Sequence, residues 1–109
     1  CIKLWDNNIM KVVKIEPKAY KFNENKSLDE LREYIDGTYD GHYATDKYQA
    51  TDIIIDTGFG QGFCMGNIIK YAKRYGRKAG KNRDDLMKIL HYGIIMLYIN
   101  DTENENEVK

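Results

Sequence analysis

Phe63–Tyr75 reads FCMGNIIKYAKRY, and Asp84–Asn100 reads DDLMKILHYGIIMLYIN. At 100° per residue the first stretch gathers Cys64, Ile68, Tyr71, Ala72 and Tyr75 on one arc. The second repeats Leu86, Ile89, Leu90, Ile94 and Leu97 at helical spacing, with Asp84 as its expected N-cap. Two amphipathic helices in succession need further elements to cover their apolar faces. That need decides the neighbouring segment Tyr48–Thr57 (YQATDIIIDT). Its β-branched run Ile53–Ile55 suits a strand, but Gln49, Ala50 and the Gly58 stop suit a helix, and a helix is expected.

Outward from this pair, Ser27-Leu28-Asp29-Glu30 has the form of a capping box. Leu28, Leu31 and Ile35 follow at helical spacing before Gly37, so one short helix is expected over 28–36. Gly37–Lys47 reads as an ordered loop and Gly58–Gly62 as a tight glycine-rich turn. Lys11–Glu16 (KVVKIE) is a candidate edge strand that stops at Pro17, the only proline. The expected fold is therefore mostly α, a compact small helical domain with a candidate short N-terminal β-strand. Met10 is read as the biological start, Cys1–Ile9 as a non-native or upstream extension, 10–100 as one helical domain, and 101–109 as an acidic flexible tail.

The chain has 109 residues, 42% hydrophobic and 31% charged, which is one domain's worth with apolar material for a modest core. Its formal net charge is zero, so a uniformly basic, nucleic-acid-binding surface is not expected. Ile94–Ile99 is far shorter than the ~20 residues that span a bilayer, and no secretory signal stands at the N-terminus. The 2 cysteines and 2 histidines offer neither a disulfide scaffold nor a metal centre. No membrane partner, metal or cofactor is expected, and a reducing cytoplasm is the expected setting.

Neutrality conceals an asymmetry. Lys70, Lys73, Arg74, Arg77, Lys78, Lys81, Arg83 and Lys88 face only Asp84 and Asp85 within 70–88, while 101–109 is acidic. The basic loop Gly76–Arg83 between two helices is a candidate anion site, since glycines let the backbone approach and helix N-terminal amides point outward. Asn67, Lys70 and Arg74 form a stripe at i, i+3, i+7, and Asp85, Lys88 and Tyr92 repeat that spacing. Cations on adjacent turns can hold one anion, and Arg can do so bidentately. The alternative is a solvated face with Lys88 paired to an aspartate.

Gly58–Gly66 fits neither phosphate-loop pattern: Asn67 stands where a Walker lysine would, and Phe63 breaks GxGxxG. Nine tyrosines exceed ordinary usage. They can stack on bases or anchor interfaces. His42, beside Asp40 and Tyr43, is a candidate acid–base or phosphate-binding group. His91 and Cys64 read as packing.

The order Asp40-Gly41-His42-Tyr43, then Phe63-x-x-Gly66-Asn67-x-x-Lys70-Tyr71-x-x-Arg74, then Asp85-Leu86-x-Lys88-x-x-x-Tyr92 resembles a family of small phage proteins of nucleotide-kinase-like description. The resemblance covers about residues 40–99. Ile89 departs from it, standing where the family tends to have a small residue. The resemblance implies a phage protein with an all-α core and a nucleotide or phosphate ligand. The site residues it and the spacing nominate are His42, Tyr43, Asn67, Lys70, Tyr71, Arg74, Arg77, Lys78, Lys88 and Tyr92, with Asp85 on the second stripe.

Three functions compete. The first is a sponge in the host cytoplasm that sequesters a nucleotide signal, for example a cyclic dinucleotide of antiphage defence, without catalysis. The second is a nucleoside monophosphate kinase, which the resemblance suggests. The third is a nucleic-acid or protein-binding module, disfavoured by neutrality and the acidic tail. The first two share an expectation, that Lys70→Ala and Arg74→Ala abolish nucleotide binding and leave the fold intact. A homo-oligomer is expected, because one short helical domain offers little concavity.

Overall fold

A computed structural model describes residues 19–40 and 44–108, the last four of these by backbone alone. Among the described residues the elements are four helices: α1 Glu24–Thr38, α2 Ala44–Asp56, α3 Gly60–Arg74 and α4 Arg83–Val108. The fold is thus mostly α. The candidate strand Lys11–Glu16, the extension Cys1–Ile9, and His42 and Tyr43 lie outside the described residues. No helix among the described residues is long and apolar enough to cross a membrane.

The helix starts differ from the sequence expectation for identifiable reasons. α1 begins four residues earlier than expected, at Glu24. Asn23 enters it in the left-handed region, and its carbonyl accepts from the Ser27 amide at 3.0 Å. Ser27 therefore sits inside the first turn and does not cap it. Glu30, the supposed partner in the box, turns to Arg83 of α4, accepting from Nε at 2.5 Å and Nη2 at 2.6 Å. α4 starts at Arg83 because Asn82, not Asp84, caps it. Asn82 Oδ1 accepts from the Asp84 amide at 2.9 Å, and Asn82 O accepts from Asp85 at 3.1 Å. The helix then continues to Val108, beyond the expected end near 100.

The ambiguous segment is a helix, and so are both ends of the expected loop, Gly37 and Thr38 in α1 and 44–47 in α2. The end of α2 carries a Schellman arrangement: Phe59 N donates to Ile54 O at 3.0 Å and Gly58 N to Ile55 O at 3.0 Å. Gly58 supplies the positive φ of 92° that this cap requires. Two residues later the chain is already helical again at Gly60, which is buried where α2, α3 and α4 meet. A Cβ there would lie 2.9 Å from Ile99 Cδ1, 3.0 Å from Ile55 Cγ1 and 3.3 Å from Ile55 Cα, so any larger residue has to push Ile99 and Ile55 aside at this reversal.

α4 is the central element, packed chiefly on α3 and also on α1, while α2 lies on α3. Leu31, Cys64, Met87 and Ile99 are the buried apolar side chains, one each from α1 and α3 and two from α4. At about 1.5–3 kcal/mol for each large aliphatic side chain, this is a thin core. Burial also pushes the Cys64 thiol above its ordinary pKa, which leaves it a neutral packing group. A face of α4 stays open: Leu90, Ile94, Leu97 and Tyr98 are exposed at i, i+4, i+7 and i+8.

Candidate functional site

Along α4, Lys88, His91, Tyr92 and Ile95 recur at i, i+3, i+4 and i+7, which places them on one stripe. The other three helices converge on that stripe. α1 contributes Tyr34, α2 contributes Lys47, Tyr48 and Thr51, and α3 contributes Tyr71. Together they line a small chamber of about 50 Å³. A water occupies about 30 Å³ of liquid, so the chamber suits the head of an oxyanion and not a ring system. Two lysines from different helices line it, and no carboxylate stands among its lining residues.

Tyr71 organises the cations at the rim. Lys70 Nζ lies 4.6 Å, Lys88 Nζ 5.0 Å and the Arg74 guanidinium 5.8 Å from its ring centroid. The negative ring face offsets part of their mutual repulsion. Tyr71 stacks near-parallel with Tyr92 at 6.3 Å, and Phe63 meets Tyr92 edge-on at 5.8 Å. These rings fix α3 against α4. Burial raises the pKa of Tyr34 and of Tyr92, so both are neutral phenols that can donate hydrogen bonds to an anion.

Among the described residues, Arg74 is the one rim cation with a carboxylate partner. Its Nε lies 3.6 Å from Asp85 Oδ1. Asp85 is 1% exposed, and neither of its oxygens has a hydrogen-bond partner among the described residues. The guanidinium is thus committed to the protein's own charge, whereas Lys47, Lys70 and Lys88 have no ion-pair partner among the described residues.

His91 is buried, 8% exposed, with its ring edge-on to Tyr34 at 6.0 Å and tilted against Tyr92 at 6.5 Å. Burial, and secondarily the Lys47 charge, hold its pKa below the ordinary 6.5. The imidazole is therefore neutral at neutral pH.

A second, apolar groove of about 320 Å³ adjoins the chamber. Tyr48, Thr51, His91 and Ile95 form the wall common to both. Ile35, Ile55, Ile94, Tyr39 and Tyr98 complete the groove, with Asp52 as its one carboxylate. Tyr39 and Tyr48 stack at 4.6 Å, and the Tyr48 hydroxyl shares a short hydrogen bond with Thr38.

The nominated residues thus divide. Lys70, Tyr71, Arg74, Lys88 and Tyr92 are brought together. His42 and Tyr43 lie outside the described residues. Asn67 spends its amide on its own helix, donating from Nδ2 to Phe63 O at 2.9 Å. Arg77 and Lys78 are exposed in the turn after α3, with both amides donating to Arg74 O. Gly76 N likewise donates to Gly80 O at 2.9 Å, so several amides of the basic loop are used within the chain. Sequence reading missed Tyr34, Lys47, Tyr48, Thr51, His91 and Ile95 as chamber residues. The stripe through Lys88 would have found His91; no local spacing links α1 or α2 to it.

Comparison with known proteins adds a family. A family model described as protein of unknown function (DUF3310) matches residues 14–93, and the chain belongs to that family. This corrects the nucleotide-kinase-like resemblance: the matching family carries no such description. The kinase alternative stood on that resemblance, and no family finding supports it. No curated protein and no solved structure matches the chain.

Proposed function

Starting from a family to which no activity is assigned, we propose that this chain binds a nucleotide and sequesters it without transforming it, a cyclic dinucleotide signal being one such ligand. The observation that carries this reading is the chamber lined by Lys47 and Lys88 with no carboxylate among its lining residues. A phosphate seats between the two lysines, with the Lys70 ammonium at the rim. The base and sugar extend past Tyr48 and His91 into the apolar groove. Lys88 to Tyr98 on α4 spans about 15 Å at 1.5 Å per residue, the length scale of a nucleotide.

The test is incubation with a panel of nucleotides, cyclic dinucleotides included, then heating and chromatography. One ligand should leave the free pool on mixing and return unchanged on heating. Return as a different species overturns sequestration, and retention of none overturns nucleotide binding.

The reading includes a homo-oligomer. The exposed Leu90 and Leu97, which do not line the groove, call for an apolar cover, and a second copy supplies one with matching charge. Two α4 helices paired antiparallel set the acidic end at Asp101 and Glu103 of one at the same end of the pair as the basic turn at Arg77, Lys78 and Lys81 of the other. Light scattering at micromolar concentration should give a mass above that of the monomer; a monomeric mass overturns the pairing.

A further inference from the structure

His91 occupies the wall shared by the basic chamber and the apolar groove, so any ligand that reaches from one to the other passes its imidazole. The groups facing it differ by helix. α1 presents the Tyr34 phenol, and α2 presents Lys47 and Tyr48, with Asp52 farther along in the groove. α3 presents Tyr71, and α4 itself presents Lys88 and Tyr92. Within the chamber the charges are therefore cationic, and burial keeps the Tyr34 and Tyr92 phenols neutral.

We propose that His91 is a proton-carrying ligand of the bound anion: neutral in the free protein, it takes up one proton from solvent when an oxyanion seats between Lys47 and Lys88. The inference rests on the anion-binding reading above and goes further by assigning His91 a role in selecting the ligand's charge. The physical cause is reciprocal. Lys47 and burial disfavour imidazolium in the free protein. An oxyanion cancels the lysine field and adds an attractive charge within reach, so the same site favours imidazolium once filled. A proton taken up on binding means that affinity rises as pH falls. The rise approaches tenfold per pH unit between the midpoints of the free and filled forms and vanishes outside that window. A site of this kind favours multiply charged oxyanions over carboxylates or neutral ligands of the same shape.

The experiment is an NMR titration of the assigned His91 imidazole in the full chain, from pH 8 to 5, in sodium chloride and in sodium sulfate at matched ionic strength. Sulfate keeps its charge across this range, so any proton taken up belongs to the protein. The expected result is a His91 midpoint higher in sulfate by half a unit or more, together with shifts at the Lys47 and Lys88 amides. Shifts at those amides with an unchanged His91 midpoint overturn the proton-carrying role and leave the anion site standing. No sulfate-dependent shift at any of the three overturns the anion site itself, and this inference with it. His91→Gln gives an independent check: sulfate binding should become flat with pH, and an undiminished rise on acidification sinks the proposal.

Discussion

Arg74→Ala should lower the stability of the domain by about 3 kcal/mol, the lower end of what removing one partner of a buried ion pair costs. The cause lies in Asp85. Its side chain is 1% exposed, its oxygens have no hydrogen-bond partner among the described residues, and Arg74 Nε at 3.6 Å is its counter-charge. Without the guanidinium a carboxylate remains in a poorly solvated place with only the N-terminus of α4 to balance it. Arg74 is itself 33% exposed and the pair is longer than a hydrogen bond, which is why the low end of the range applies. Domains of this size have total stabilities of about 5–15 kcal/mol, so the loss should show in a denaturant melt as a clearly lower midpoint at unchanged slope. The double variant Arg74→Met with Asp85→Leu should recover most of it, because the buried charge then goes with its partner. An Arg74→Ala protein as stable as the parent would mean that Asp85 is balanced elsewhere. The shared expectation for Lys70 and Arg74 therefore splits. Lys70 is exposed over Tyr71 and its loss should leave the fold intact, whereas lost binding in Arg74→Ala must first be separated from lost structure.

How much of this was legible in the sequence follows from which forces act locally. The helices α3 and α4 were, and so was Cys64 on the inner arc of α3; the inner face of α4 was not, because Leu90, Ile94 and Leu97 of the expected face are exposed and Met87, His91 and Ile99 are buried in their place. The end of α2 was legible, because Gly58 is a backbone requirement that one residue announces. Helix starts were not. Ser27–Glu30 satisfied a local pattern, yet Glu30 found a stronger partner in Arg83, far along the chain. Asp84 stood where a cap was expected, but Asn82 reached the free amide first. The candidate site shows the same division. Lys70, Tyr71, Arg74, Lys88 and Tyr92 share two adjacent helices, and their spacing showed it. Lys47 and Tyr34 come from helices whose approach depends on tertiary packing, with Gly60 allowing α2 and α3 to reverse tightly against Ile99. His91 was read as packing because its neighbour Leu90 is apolar, and it is indeed buried against Tyr34 and Tyr92; what that reading left out is that it also lines the chamber with its stripe partners at i−3 and i+4, Lys88 and Ile95.

Lys47→Ala and Lys88→Ala should each weaken nucleotide binding about 10–100-fold, and the double variant about 100–10,000-fold. Each lysine makes one charge-assisted contact with phosphate, worth about 1.5–3 kcal/mol, and 1.4 kcal/mol is tenfold in affinity. The fold should survive. Lys47 is exposed, and Lys88 loses only its position over the Tyr71 ring, about 0.5–1 kcal/mol. Lys88→Arg should fall between the parent and Lys88→Ala, keeping the charge while presenting a planar fork to a chamber of about 50 Å³. The comparison that decides the matter is Lys73→Ala. Lys73 belongs to the neighbouring α3 with Lys70 and Arg74, is exposed, and is not among the chamber's lining residues. If a general positive field holds the ligand, removing Lys73 costs as much as removing Lys88, and raising salt abolishes binding to parent and variants alike. If the chamber holds it, Lys73→Ala binds within a factor of about two of the parent. The Lys47 and Lys88 losses then persist at high salt, because charges inside a narrow chamber are screened far less than charges on a surface. Isothermal titration of the four single variants and the double variant at two salt concentrations separates these outcomes.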